Sequence, residues 1–221
     1  IKQMLSFLPD SCEDQPPVYR CDQSADAPVE ALNEIIPVDS KKPYDVRRVI
    51  ELTADDGYYY EIQPEFAGNM VTALARLNGK SVGFVANQPC CKAGSLDLDG
   101  ADKAARFINF CDAFNIPLVF LSDVPGCLPG VDQEHRGIIR HGAKMIYAAA
   151  RATVPKIALT MRKMYGGASA GMCEKGMGPD VVISWPTAQS AVMGAAGAAA
   201  IVYRKQIAAA PDPEKAKQEF T

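Results

Sequence analysis

Apolar and polar positions change their period several times along this chain. Residues 10–30 are polar, carry three prolines and show no periodicity, which reads as a linker. Residues 30–36 make a short helical turn, and Asp45 stands as the N-cap of a helix over 46–52. From Tyr58 the stretch YYYEIQ is rich in strand formers. The stretch MVTALARLNGKSVGFVAN is two apolar runs meeting at Asn78-Gly79, the signature of a two-residue hairpin turn. Ala101, Ala104, Ala105, Ile108 and Cys111 recur at helical spacing and predict a helix over 97–114. A buried strand IPLVFLSD follows, then a loop, VPGCLPG. Residues 133–152 are again helical, VPKIALTM is a strand, 180–184 a short strand and 187–204 a helix.

Strands therefore alternate with helices after an initial hairpin. That order predicts an α/β fold with a parallel sheet and crossover helices. Ligands on such sheets bind beyond the carboxyl ends of the strands. Two loops stand there, DVPGCLPG at 123–130 and YGGASAG at 165–171.

Composition narrows the classes. The chain has 221 residues, 48% of them hydrophobic, enough for a real core. A net charge of −3 argues against a nucleic-acid partner. No apolar stretch approaches the roughly 18–20 residues of a membrane span, and no signal peptide opens the chain. The seven cysteines form no CxxC and no zinc spacing, so we expect reduced thiols, a cytoplasmic setting and no metal. The first and last residues read as interrupted helices, so a piece of a longer subunit is expected.

Residues 167–171, GASAG, match the G-x-S-x-G elbow of serine hydrolases. A serine nucleophile needs a base and an orienting acid. The only histidines, His135 and His141, both precede Ser169, which excludes the order Ser–Asp–His. An order of Asp123 or Asp132, then His141, then Ser169 survives, although His141 lies in a helical stretch where packing or capping explains it. A second reading uses the backbone. Gly166-Gly167 turn sharply, a helix begins near Ala168, and its first N–H groups lack intrahelical partners. Two such donors, aided by the helix dipole, make an oxyanion hole.

The motifs then resolve the picture. NQP (87–89), FCDAFNIPL (110–118), DVPGCLPG, GIIRHGAK (137–144), YGGA and WPTA (185–188) fall in one order and spacing. Together they resemble the carboxyltransferase subunits of biotin-dependent acyl-CoA carboxylases, of the propionyl-CoA carboxylase β type. The likeness runs from about Leu5 to about Arg204. Related transcarboxylases and decarboxylases share these motifs.

The resemblance implies a ClpP/crotonase-like spiral of ββα units. Residues 1–35 match an interdomain segment and 36–221 the C-terminal of two such domains. The implied reaction moves CO2 from N1-carboxybiotin to the α-carbon of an acyl-CoA. Biotin arrives on a carboxyl carrier or biotin carboxylase partner, and coenzyme A arrives with the substrate. Gly167 and Ala168 match the N–H groups that hold the biotin ureido oxygen, with Gly166, Pro125 and Gly126 beside them. Asn87, Gln88 and Gly94 match a loop near the acyl-CoA, and residues 39–71 a region of acyl-CoA contact. There Lys41, Lys42, Arg47 and Arg48 would meet phosphates, or else form a solvated face.

Relatives often read G-G-A-Y-D or G-G-A-Y-I where this chain has Ser169 and Ala170, and Phe where it has Cys127. Smaller side chains at these positions imply a roomier acyl pocket, for a longer or branched chain. The family assembles as a hexamer, a trimer of dimers, with active sites shared between subunits. A C-terminal domain alone is therefore expected to turn over little.

Overall fold

The Asn78-Gly79 pair folds as the alternation requires. In a computed structural model describing residues 1–22 and 29–221, it joins strands β2 (Met70–Leu77) and β3 (Lys80–Asn87), with Leu77 paired to Lys80. Both turn residues have positive φ, 51° and 77°, the geometry that matches the twist of the flanking strands. Gly79 is also required by packing. A Cβ there would lie 1.8 Å from the carbonyl oxygen of Tyr19, whose N–H donates to the Gly79 carbonyl at 2.9 Å.

One seven-stranded sheet organises the rest. β1 (Tyr59–Glu61) and β2 are antiparallel, as are β2 and β3. β4 (Leu118–Val124), β5 (Lys156–Tyr165) and β6 (Val181–Ser184) then add in parallel, in spatial order β1 to β6. β7 (Gln189–Ala191) continues the lane of β6, pairing with Lys163–Tyr165 of β5. Among the described residues β6 has no neighbour on its outer side, and Val181, Val182 and Ile183 there are 45–49% exposed.

Helices cover both faces, which is why the central strands are apolar without alternation. Ten helices are described: α1 (Lys2–Leu5), α2 (Leu32–Ile35), α3 (Val46–Thr53), α4 (Leu98–Ala113), α5 (Val131–Arg136), α6 (Ile138–Arg151), α7 (Ala168–Gly171), α8 (Ala195–Val202), α9 (Arg204–Ala209) and α10 (Pro213–Glu219). α4 and α6 pack over Met70, Leu74, Leu118 and Phe120. α3 packs over Val71, Ala73, Val119 and Leu121, their neighbours on the opposite face. None of the helices is long and apolar enough to cross a membrane, among the described residues.

Asp45 caps α3 as expected, accepting from the Arg47 N–H at 3.0 Å while its carboxylate also takes the Gln88 side-chain amide. Asp45→Ala is expected to cost about 1 kcal/mol, read as a lower urea midpoint with an unchanged slope. A loss near zero would show that the cap contributes nothing.

Two expectations need correction. The helix over 133–152 is two helices, because Gly137 sits at φ 85° and breaks the ladder between α5 and α6. The helix over 187–204 starts only at Ala195. Residues 189–191 are drawn into β7 because the free edge of β5 offers hydrogen bonds that local propensity does not count. The segment 1–35 packs against the sheet and its helices at several points, and residues 23–28 of it lie outside the described residues. Phe7 is fully buried in the main core, Arg76 stacks over Phe7 and Tyr19, and Asn115 donates to the Cys12 and Asp14 carbonyls.

Candidate active site at the carboxyl ends of the strands

β4 and β5 are neighbours, and the loops that leave them stand side by side. The 125–130 loop is fixed by backbone pairing. Leu96 N–H donates to the Gly126 carbonyl at 3.0 Å, and Leu128 N–H donates back to Leu96 at 2.8 Å. The 166–171 turn is wedged from the other side. A Cβ on Gly171 would lie 3.3 Å from Met145 Sδ of α6 and 3.5 Å from Leu96. Leu96 thus touches both loops.

Within the turn, each backbone N–H can be followed. Gly166 N–H donates to the Ala191 carbonyl and Ser169 N–H to the Gly166 carbonyl. Gly167 and Ala168 N–H have no acceptor among the described residues. Almost all buried backbone donors in proteins are paired, and Ala168 is only 1% exposed. Two adjacent donors are thus idle among the described residues. Gly167 has a second feature. Its φ of −65° suits any residue, and a Cβ there would meet nothing within 4 Å. Neither strain nor packing demands glycine, so what glycine provides is access. α7 is only four residues long, so its dipole adds little and the donors themselves carry the effect.

Ser169 is turned away from this opening. Its Oγ lies 2.6 Å from Glu174 Oε2 and 2.8 Å from the Gly166 carbonyl, and the residue is 8% exposed. His141 is engaged elsewhere, with Nδ1 2.8 Å from Asp102 Oδ2, and Lys144 pairs with the same carboxylate. Asp123 is committed to Arg162. Ser169, His141 and Asp123 are therefore not assembled as a hydrolase triad, and the Ser169 hydroxyl is engaged by Glu174 and the Gly166 carbonyl. Of the three positions read as enlarging the acyl pocket, exposed Cys127 and half-buried Ala170 reach the surface. Ser169→Ala removes one hydrogen bond of about 0.5–1.5 kcal/mol, so activity should fall by no more than about tenfold. Near-complete loss in a steady-state assay would restore the nucleophile.

Beneath both loops lies a buried ion pair that the pattern of the chain did not announce. Arg162 Nε and Nη2 both lie 3.0 Å from Asp123 Oδ2, and the two side chains are 2% and 0% exposed. Arg162 Nη1 donates to the carbonyls of Pro37, Asp39 and Lys42 at 3.4, 3.1 and 2.9 Å. Lys163 N–H donates to the other Asp123 oxygen, and Lys163 Nζ to the Ser40 carbonyl. Burial pushes the Lys163 ammonium and the Tyr44 phenol towards their neutral forms, lowering the first pKa and raising the second. Residues 37–42 are thereby fixed to the ends of β4 and β5. The signal was present, an Arg-Lys pair inside an apolar strand and an Asp closing the strand before it.

The remaining predicted residues divide. Lys41 and Lys42 are exposed and, among the described residues, unpaired. Arg47 is engaged by a carboxylate. Glu61 takes its guanidinium with two bonds of 2.7 and 2.8 Å and raises its pKa. Arg48 pairs with Glu51. Asn87 and Gln88 are buried. Asn87 Oδ1 accepts the Asp123 N–H, and Gln88 bonds Asp45. Gly94 is required by packing, because a Cβ there would lie 2.5 Å from the Asp123 carbonyl oxygen. Pro125 and Gly126 are half-buried on the loop beside the idle donors.

Comparison with known proteins gives one answer. The family model for the carboxyl transferase domain matches residues 1–221. The methylmalonyl-CoA carboxyltransferase 12S subunit of Propionibacterium freudenreichii subsp. shermanii is 53% identical over 99% of this chain and 41% of its own length. The methylmalonyl-CoA decarboxylase subunit alpha of Propionigenium modestum is 51% identical over 96% of this chain and 41% of its own. The transcarboxylase 12S crystal structure, a hexamer with methylmalonyl-coenzyme A and methylmalonic acid bound, superposes with a TM-score of 0.92 at 52% identity. It covers 99% of this chain and 42% of that one. The chain thus spans about two fifths of the length of the relatives it matches.

Proposed function

This chain belongs to the carboxyl transferase domain family, with the crotonase-like fold of its neighbours, and on that premise we propose that it holds the biotin end of a CoA-dependent carboxyl transfer. Carboxybiotin, delivered by a carrier or biotin carboxylase partner, supplies CO2, and its ureido oxygen gains negative charge as CO2 leaves. Gly167 and Ala168 N–H donate to that oxygen. Gly166 sets the turn, and Pro125 and Gly126 bound the opening from the neighbouring loop. No side chain of this chain acts as nucleophile.

The observation that carries this reading is Gly167. It is exposed, unstrained and uncrowded, and it stands with two donors that the protein itself leaves unused. Lys41 and Lys42, in the segment that Arg162 bonds at the Asp39 and Lys42 carbonyls, are the cations we assign to the phosphates of CoA. A second copy completes each site, in a hexamer like the one described for transcarboxylase 12S. The seven free cysteines suit the reducing cytoplasm. The stretch alone would turn over little.

Methylmalonyl-CoA stands in the names of the relatives above, and propionyl-CoA is what it becomes on losing CO2, so this pair is the substrate class we assign. With the Ser169 hydroxyl engaged by Glu174, the case for a much roomier pocket rests on Cys127 and Ala170. Steady-state comparison of acetyl-, propionyl- and longer acyl-CoAs, on the intact subunit with its biotinylated partner, tests this. Propionyl-CoA should have the highest kcat/KM. A preference for a longer chain would overturn the assignment and restore the larger pocket. The decarboxylase relative uses the same domain, so net decarboxylation is the alternative direction for the same site.

A further inference from the structure

Between α4 and the segment after β1 lies a cavity of about 210 Å³, lined by no residue of the loops at 125–130 and 165–171. Met4, Ile62, Phe107 and Phe110 form apolar walls, and Lys103 and Arg106 bring two cations. Thr72 also lines it, but its hydroxyl is spent on the Ile62 carbonyl at 3.1 Å. Lys103 is 3% exposed and donates one hydrogen bond, to the Phe66 carbonyl at 2.8 Å. An ammonium has three protons to donate. No carboxylate pairs with Lys103 among the described residues. Glu61, the acid whose field reaches it, is held by both arms of Arg47.

Buried charges in proteins are paired or fully hydrogen-bonded, because an uncompensated one is costly. Burial accordingly pulls the Lys103 pKa down. A cation short of partners beside an apolar hollow asks for one negative charge with an apolar tail. The volume falls below the roughly 300–1,000 Å³ of pockets for larger ligands, so the tail is short. Arg106 is exposed, so Lys103 is the buried cation of the lining, and a doubly charged phosphate would leave excess negative charge inside the hollow. We propose that this cavity binds a short aliphatic carboxylate, its tail between Phe107, Phe110 and Ile62 and its carboxylate on Lys103, with exposed Arg106 at the mouth. The site is independent of the carboxyl-transfer reading.

Calorimetry on the full-length subunit with pentanoate, and with pentan-1-ol as the neutral analogue, tests it. Pentanoate should bind saturably and pentan-1-ol about tenfold more weakly or not at all. Lys103→Met should abolish pentanoate binding, and Arg106→Gln should weaken it by a few fold. Lys103 also anchors the Phe66 loop, so a second variant guards against misfolding. Phe110→Trp fills the hollow, keeps the cation, and should abolish binding too. Equal binding of acid and alcohol, no pentanoate binding to the unmodified subunit, or unchanged binding in Phe110→Trp would each overturn the proposal. So would a crystal structure of the full chain with another part of the polypeptide seated in the cavity.

Discussion

Replacing Gly167 by proline is expected to lower kcat for carboxyl transfer by about 10²–10³, the usual consequence of losing one oxyanion donor. The substitution removes a single atom of interest. The φ of −65° is already the value that proline enforces, the lost N–H bonds nothing among the described residues, and a Cβ at this position would meet nothing within 4 Å. The preceding residue is Gly166, which has no Cβ to clash with the ring. Folding should therefore survive while chemistry does not. Gly167→Ala is the companion measurement. It keeps both N–H groups and adds one methyl where a ligand would approach, so its effect should fall mainly on KM for the carrier. If Gly167→Pro turns over like the parent, with the melting midpoint unchanged, the oxygen is held elsewhere and the proposed site is wrong.

Arg162→Met is expected to be the most destabilising single change away from the apolar core, by about 3–5 kcal/mol. It leaves Asp123 charged and fully buried, and it strips a donor from three carbonyls of the 37–42 segment. For a domain of this size the loss corresponds to a fall on the order of 10 °C in midpoint. Adding Asp123→Leu should recover only part of it, because the carbonyls remain unpaired and Lys163 N–H loses its acceptor. A loss below 1 kcal/mol in urea unfolding would mean that water or a rearranged segment replaces the guanidinium.

The parts of this fold that were legible in the sequence are those governed by near neighbours. Asn78-Gly79, the Asp45 cap and the helical spacing after Asp97 each state their structure within a few residues. The 187–204 error shows the limit. Residues 189–191 take strand geometry because β5 is long enough to pair with two short strands in one lane, and no local pattern reports the length of a partner. The site divides in the same way. Glycines at 166 and 167 mark a turn and an approach. The burial of Asn87 and Gln88, the capture of Arg47 by Glu61, and the tie from Ser169 to Glu174 depend on which side chains meet after folding. Motif resemblance located the loops, but it could not say which of their side chains point outward.

One consequence concerns handling. Among the described residues β6 ends the sheet with its outer row of N–H and C=O groups unpaired by any strand, and Val181, Val182 and Ile183 lie along it half in water. Edges of this kind are usually blunted by a charge, a proline or a bulge, and none stands within these four residues. A polypeptide limited to residues 1–221 would carry an adhesive border, drawing strands from other molecules as concentration rises. Unfolding curves on such a sample should then shift with protein concentration, and dilute solution is where the intrinsic stability of the domain becomes visible.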